Sequence, residues 1–237
     1  MTTSLIQRAL TPLALLSLVL CAVSFGLIFF FAPVEATMGI VQKIFYVHVP
    51  AAIATYMGFI IASVCSLIYL IRPSERMDLA ARSSAEVGMV FCVFVLISGP
   101  LWGYKAWGKP WVWDPQLTAT FVLFTLYGGY ILLRRLSSSP RMRMIGAVLA
   151  VFAVVDIPVI RYAVKKWGGI HPVVERAGGG GLSPDMKLVF SVCMLTFLVL
   201  FLLLFLLDLR RRMLAQEIDR MHLELEDLSL SGSALSA

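Results

Sequence analysis

Six long apolar segments constrain this 237-residue chain more than any other feature. The hydrocarbon layer of a membrane is about 30 Å thick, and a helix needs about 20 apolar residues to cross it. The segments comprise residues 10–31, 49–71, 85–101, 117–133, 144–160 and 187–207. Their apolar residues run continuously instead of alternating with polar ones, which favours helices over the strands of a β-barrel. The sequence therefore predicts an all-α, polytopic membrane protein with six transmembrane helices.

The composition excludes the soluble alternatives. Apolar residues make up 59% of the chain and charged residues 14%, and the mean hydropathy is +0.88. Soluble domains average about 25% charged residues, so this chain has too few charges for a water-facing surface. A soluble enzyme, a secreted disulfide-bonded domain and a disordered chain are ruled out. The first span is too long for the apolar region of a signal peptide, and we expect it to be retained.

The distribution of Lys and Arg indicates the orientation in the membrane. If the N-terminus is cytoplasmic, more of the Lys and Arg residues lie on the cytoplasmic side than on the outer side. Because the number of spans is even, both termini are then cytoplasmic. The net charge of +6 is explained by contact with membrane lipid, and nothing indicates a nucleic-acid partner. We predict a membrane domain over residues 1–208 and a cytoplasmic tail over residues 209–237.

The tail carries the pattern of a short amphipathic helix. Its apolar residues recur every three or four positions, at Leu214, Ile218, Met221, Leu225 and Leu228. The polar face is acidic, so we expect it to contact a cytoplasmic protein or a second copy of the chain in preference to anionic lipid. Residues 229–237 are small and polar, and we expect them to be disordered.

All five tryptophans fall on the predicted outer side of the membrane. The predicted loop 102–116, between the third and fourth spans, contains Trp102, Trp107, Trp111 and Trp113. The last outer loop, residues 161–185, contains Trp167. An interfacial aromatic belt would place tryptophan at both membrane surfaces. The one-sided distribution favours a flat aromatic surface that stacks against a large planar ligand.

Two of the three histidines share the outer side with the tryptophans. His48 precedes the second span, His171 lies in loop 161–185, and His222 is in the tail, where we treat it as solvated. Pro50 suits the first turn of a helix, so His48 should lie near a positive helix end that favours neutral imidazole. A single histidine is more often structural than a ligand. Two of them beside an aromatic surface indicate the axial ligands of an iron macrocycle.

Two acidic residues have structural explanations as well as functional ones. Asp114, followed by Pro115, is a strong helix start, and helix capping alone could explain it. Asp156 lies within the fifth span, where an acid is costly. We expect it first to form an ion pair. Arg161, five residues later, has an imperfect spacing for this, and Arg82 or a water path is an equal alternative.

Residues 102–114, with the sequence WGYKAWGKPWVWD, resemble the tryptophan-rich "WWD" signature of haem-handling membrane proteins. Six spans and a histidine before the second span resemble, within that group, the cytochrome c maturation protein C family, also called haem exporter protein C. Residues 43–52, KIFYVHVPAA, are similar to its segment before the second helix, and residues 155–171 to its fifth helix and last outer loop. The likeness covers nearly the whole chain apart from the tail.

The resemblance implies a delivery protein in the bacterial inner membrane, not an enzyme. Family members hold haem b transiently and without covalent bonds at the periplasmic face, and pass it to a membrane-anchored periplasmic haem chaperone. They work with the ATPase and permease subunits of an ABC transporter and with a small single-span protein.

Carried over to this chain, the resemblance makes His48 and His171 the axial ligands of the haem iron. It assigns the haem platform and the chaperone-docking surface to Trp102, Gly103, Trp107, Trp111, Trp113 and Asp114. The propionate partners would come from the basic residues Lys43, Lys105, Lys109, Arg161 and Lys165. The four cysteines form no C-x-x-C-H motif, so thioether attachment of haem is not expected.

Three other functions compete with haem delivery. A permease that moves haem or another anion should show polar groups at mid-span or broken helices, and Asp156 is nearly alone as a charge within a span. A membrane redox enzyme with stacked haems would need histidine pairs within helices at both depths. A structural scaffold with an aromatic belt is the remaining alternative.

Overall fold

The computed structural model describes residues 3–137, 139–169, 171 and 181–235. Within these residues there is no β-strand, and six helices are long and apolar enough to cross a membrane, which confirms the predicted fold class. The α-helices are α1 (Thr3–Gly26), α2 (Phe45–Ile71), α3 (Glu75–Trp107), α4 (Pro115–Leu136), α5 (Pro140–Ala153), α6 (Asp156–Trp167) and α7 (Pro184–Leu235). Residues 170 and 172–180 of loop 161–185 and the last two residues of the chain lie outside the described residues.

Helices α2 and α3 form the centre of the bundle, where they approach each other closely. A Cβ atom added to Gly58 of α2 would lie 2.7 Å from the Cα of Gly88 on α3, so position 58 needs glycine. Phe59 and Tyr127 stack beside this contact with ring centroids 3.8 Å apart, which joins α4 to the core. Outside this core α1 packs on α7, and the hydroxyls of Ser24 and Thr196 hydrogen-bond at 2.7 Å.

The second helix begins earlier than the sequence predicted. A 3₁₀-helical turn, Ile40–Ile44, continues directly into α2 at Phe45. Pro50 is therefore inside the helix instead of at its first position. His48 is the fourth residue of α2.

The third helix is longer than predicted, and it contains part of the tryptophan-rich segment. It passes through Pro100 and ends at Trp107, so Trp102, Gly103 and Trp107 are helical instead of lying in a loop. Gly108 ends the helix with φ +71°, a conformation that favours glycine, and its N–H donates to the carbonyl of Tyr104 at 3.0 Å. The non-helical connection to α4 is only residues 108–114.

The fifth span is broken in its middle, which the sequence analysis did not predict. Helix α5 ends at Ala153 and α6 starts at Asp156. The cause is Pro158, which has no N–H to donate and whose ring clashes with the carbonyl of Val154, four residues earlier. The N–H of Ile157 instead donates to that carbonyl at 3.1 Å in a tighter turn. Asp156 therefore lies at a helix start and not within a continuous helix.

The sixth span and the predicted tail helix are one helix, α7. The sequence analysis placed a disordered segment from residue 229, but the helix continues to Leu235. Residues 208–229 contain no glycine or proline, so nothing interrupts the helical hydrogen bonds there. The predicted apolar stripe of Leu214 to Leu228 is exposed.

At the end of the bundle away from the tryptophans, basic residues pair with three carboxylates. The ion pairs are Arg134–Asp78, Arg143–Asp78, Arg82–Glu86, Arg135–Glu86, Arg212–Glu86, Arg212–Asp208 and Arg211–Asp208. The sequence analysis counted these arginines as orienting charges of the loops. They instead lie on helices and connect the ends of α3, α4, α5 and α7. We call this set the ion-pair cluster.

Candidate functional site

A cavity of about 320 Å³ lies between α2, α3 and α4, at the end of the bundle that carries the tryptophans. Its wall includes both predicted histidine ligands, His48 from α2 and His171 from loop 161–185. The floor is formed by mid-span residues such as Tyr56 and Leu123. Small-molecule sites usually occupy about 300–1,000 Å³ and are mostly apolar with a few polar groups, and this cavity has that character.

His48 is fixed by two residues of α3. Its Nδ1 atom lies 2.8 Å from the hydroxyl oxygen of Ser98. Gly99 provides the space for the ring, because a Cβ atom at this position would lie 3.2 Å from Cε1 of the imidazole. The ring is thus positioned by the same helix that carries the tryptophans.

His171 is placed by its backbone and by a neighbouring indole. Its N–H donates to Oδ2 of Asp114 at 3.3 Å, and its ring centroid is 6.1 Å from that of Trp107. Burial lowers the pKa of the His171 imidazole from its usual value, and the charge of Asp114 opposes this only in part. The ring is therefore neutral at neutral pH, which is the form that binds a metal. Its Nδ1 is buried and has no hydrogen-bond partner among the residues that the structure describes.

Three of the four tryptophans of the WWD-like segment line the cavity: Trp102, Trp107 and Trp111. Trp102 and Trp107 meet edge to face with ring centroids 5.6 Å apart, and Trp107 lies over Gly103. The rings therefore enclose a cavity and do not form the flat surface that we expected. The indole Nε1 of Trp111 is buried without a hydrogen-bond partner.

Trp113 is separate from the cavity wall, although it packs edge to face on Trp111 with ring centroids 5.4 Å apart. The Trp113 side chain is 70% exposed. Trp167, at the end of α6, is 63% exposed and also lies away from the cavity. The predicted haem platform thus divides into a cavity wall and an exposed indole beside it.

Asp114 has two structural contacts. Its Oδ1 accepts from the N–H of Leu117 at 2.8 Å, which confirms that it caps α4. Its Oδ2 accepts from the N–H of His171. One carboxylate therefore joins the start of α4 to the loop that carries the second histidine. The sequence showed the cap but could not show the contact with a residue 57 positions away.

Replacing Asp114 should separate these two contacts. Asparagine keeps one carbonyl oxygen for the α4 cap, but its amide NH₂ cannot accept from His171. We expect Asp114→Asn to weaken haem retention a few-fold while the melting temperature stays near that of the parent. Asp114→Ala should also cost about 1 kcal/mol of stability through loss of the cap. Haem titration and thermal unfolding of both variants test this, and equal haem retention in the asparagine variant and the parent would contradict it.

Most of the basic residues that we considered for the propionates lie away from the cavity wall. Lys43 donates to the carbonyl of Phe29 at 3.2 Å, and Lys105 and Lys109 are exposed. Polar residues that the sequence analysis missed line the cavity instead, namely Gln42, Thr55, Tyr56 and Thr120, together with Gln116. Gln116 and Thr120 are four residues apart, which places them on one face of α4, and this spacing could have indicated that both line the cavity.

The ion pair predicted for Asp156 is not observed within the described part of the chain. Its Oδ2 atom is buried and has no hydrogen-bond partner. Arg82, one of the two expected partners, pairs with Glu86 at 3.7 Å. The break in the fifth span separates Asp156 from the regular hydrogen bonding of α5.

Comparison with known proteins decides the family. The family model described as "Heme exporter protein C" matches residues 1–224. The chain belongs to the heme exporter protein C family. This confirms the resemblance that the WWD-like segment and the two outer histidines indicated.

Individual members of the heme exporter protein C family match most of this chain. Proteins named "Heme exporter protein C" are 34% identical over 221 residues in Paracoccus denitrificans and 33% identical over 206 residues in Escherichia coli K12. These matches cover 90% of this chain and 91% of the Paracoccus protein, and 86% of this chain and 84% of the Escherichia protein. The protein of that name in Bradyrhizobium diazoefficiens is 32% identical over 190 residues, which is 79% of this chain and 72% of the relative.

Proposed function

We propose that this chain binds haem b, non-covalently and transiently, in the cavity at the periplasmic face of the bacterial inner membrane. It then delivers the haem to a membrane-anchored periplasmic haem chaperone for cytochrome c maturation. The names of its relatives support a role in haem handling. The proposed orientation, with both termini in the cytoplasm, rests on the distribution of Lys and Arg.

One observation carries this proposal. Two histidines from distant parts of the chain, His48 and His171, line one cavity together with three indoles. A haem group is planar and largely apolar, and its iron has two axial positions that imidazoles can fill. Trp102, Trp107 and Trp111 would contact the macrocycle, and Gly103 would give Trp107 its position.

The cavity contains nitrogen atoms that could pair with a haem group. His171 Nδ1 and Trp111 Nε1 are buried and have no hydrogen-bond partner in the described part of the chain, and such atoms are costly unless a ligand pairs with them. We infer that Trp111 donates its N–H to an acceptor on the ligand. Haem is the cargo here and not a catalytic group. Two imidazoles would leave the iron without an open position, so the chain would hold haem without reacting.

The delivery step requires an accessible surface beside the cavity. Trp113 offers one, because it is exposed and packs directly on Trp111 of the cavity wall. We propose that the chaperone docks there. On the opposite side of the membrane, α7 would contact the ATPase and permease subunits of an ABC transporter, and a small single-span protein would complete the assembly.

Absorption spectra of the purified protein test the ligand assignment. We expect the parent protein to retain haem with a low-spin, bis-imidazole spectrum, and His48→Ala and His171→Ala each to lose that spectrum. His222→Ala, on the exposed part of α7, is the matched control and should resemble the parent. A parent protein that retains no haem when cells are supplied with it would refute the proposal.

The break in the fifth span supports one alternative function. Transporters often have discontinuous helices at the membrane midplane, and α5 and α6 are separated at Asp156, whose Oδ2 atom is buried without a hydrogen-bond partner among the described residues. A permease would move haem or another anion across the bilayer. Purified protein in sealed vesicles distinguishes the two: haem uptake into the vesicle that Asp156→Asn abolishes would favour a permease, and the delivery protein should show none.

A further inference from the structure

We propose that Ser98 fixes the ring proton of His48 on Nδ1, so that Nε2 is the nitrogen that binds haem iron. Ser98 would act as a positioning residue through His48 and would not touch the haem. This inference rests on the proposed function, because it concerns which atom of His48 serves as the ligand. It adds a residue that neither the WWD-like segment nor the histidine pattern indicated.

The Ser98 hydroxyl has one proton for two neighbouring polar atoms. The Ser98 hydroxyl oxygen makes two short contacts, at 2.7 Å to the carbonyl oxygen of Phe94 and at 2.8 Å to Nδ1 of His48. A hydroxyl has only one proton to donate. The carbonyl oxygen has none, so the serine proton must lie between Ser98 and Phe94. The contact with His48 then needs its proton from Nδ1.

The reverse arrangement leaves one contact without a proton. If Ser98 donated to His48, its oxygen would face the Phe94 carbonyl oxygen at 2.7 Å with no hydrogen between them, and two acceptors repel at that distance. The Ser98 side chain is buried within the bundle, where such a contact is not relieved by water. The arrangement that supplies both contacts with a proton is Nδ1–H of His48 donating to Ser98.

This proton location prepares His48 for a metal. A neutral imidazole carries one ring proton, so a proton on Nδ1 leaves the lone pair on Nε2. Histidines that bind metals usually donate their other N–H to a neighbour, which orients the ring and increases its basicity. Gly99, the next residue after Ser98, allows the ring to approach α3 closely enough for this hydrogen bond. Serine and glycine at consecutive positions therefore hold the imidazole in one orientation.

Nitrogen-15 NMR of the haem-free protein tests the proton location directly. The chain has three histidines, so ring signals can be assigned with His171→Ala and His222→Ala. We expect the proton of His48 on Nδ1 in the parent and in Ser98→Thr, because a helical threonine hydroxyl also bonds the carbonyl four residues earlier. In Ser98→Ala the preference for Nδ1 should be lost. A parent protein with the proton on Nε2 would overturn the proposal.

Haem titration provides a second readout. Loss of a hydrogen-bond partner behind a metal-binding histidine typically weakens metal affinity about 10- to 100-fold, and we expect that loss in Ser98→Ala with recovery in Ser98→Thr. The reduction potential of bound haem should rise in Ser98→Ala, because a less basic imidazole stabilises ferric iron less well. Ser84→Ala is the matched control on α3: this serine is also buried, its hydroxyl has no partner, and it is remote from the cavity.

The outcomes separate this inference from the proposed function. If the parent protein binds haem through His48 and His171 but Ser98→Ala matches Ser84→Ala in affinity and potential, the role of Ser98 is wrong and haem binding stands. If His48→Ala leaves the haem spectrum unchanged, the ligand assignment itself fails. A drop in affinity that Ser98→Thr does not reverse, with the His48 proton still on Nδ1, would indicate a packing role and contradict the proposal.

Discussion

Replacing Arg134 with methionine is expected to lower the free energy of unfolding by about 3–5 kcal/mol. Arg134 is buried in the ion-pair cluster, and its Nη2 atom donates to Oδ1 of Asp78 at 2.7 Å. The methionine variant leaves the Asp78 carboxylate buried without its main partner. Arg143, 3.8 Å from Asp78, is too distant for a direct hydrogen bond and compensates only in part. Unfolding in mixed detergent micelles measures the loss.

Two further variants check the cause of this loss. The double variant Asp78→Leu/Arg134→Met removes both charges and should recover most of the stability, because Arg134 Nε and Nη1 are already buried without partners. Arg135→Met, which removes an exposed arginine 3.9 Å from Glu86, should cost about 0–1 kcal/mol. A double variant as unstable as Arg134→Met alone would mean that side-chain packing, and not the unpaired charge, causes the loss.

Replacing Gly103 with valine is expected to weaken haem retention about tenfold or more. A Cβ atom at this position would lie 2.9 Å from Cζ3 of Trp107, closer than side-chain packing allows. The indole cannot absorb this overlap by rotating freely, because Trp102 meets it edge to face on one side and His171 lies near its ring on another. The substitution should therefore shift part of the cavity wall and disturb the second ligand. Haem titration and the rate of haem loss to apomyoglobin measure the effect.

Gly128→Val is the matched control for Gly103→Val. It makes the same substitution on α4, where the nearest atom to the added Cβ would be the Met89 Cε at 4.0 Å. Haem retention in this variant should stay within about twofold of the parent. If both valine variants lose haem equally, the effect comes from general destabilisation of the bundle and the role assigned to Gly103 is wrong.

The sequence predicted the six spans better than it predicted the ends of the helices. A helix that crosses the hydrocarbon layer needs a continuous apolar run, so such runs locate all six spans. The sequence grouped the tryptophans with His48 and His171 on one side of the membrane. In the structure, these two histidines and three of the indoles line one cavity. The end of α3 was missed because the predicted span followed the apolar run to residue 101, whereas the helix continues to Trp107.

The contacts between helices could not be predicted from one sequence. In the sequence, nothing distinguishes Ser98 from other small polar residues within an apolar run. Its contact with His48 depends on the packing of α2 against α3, and a hydrophobic pattern does not show which helices are neighbours. The same holds for Asp114 and the backbone of His171, and for Asp78 and Arg134. The break before Asp156 did have a signal in Pro158, whose missing N–H interrupts the helix upstream.

The unbroken course of α7 has a mechanical consequence. Residues 209–235 extend the last transmembrane helix by 27 residues, and at 1.5 Å per residue this is roughly 40 Å of helix beyond the span. Arg212, near the base of this extension, pairs with Glu86 on α3, a helix that lines the cavity. By geometry alone, a small change in the tilt of the span becomes a displacement of several ångströms at the tip of the extension.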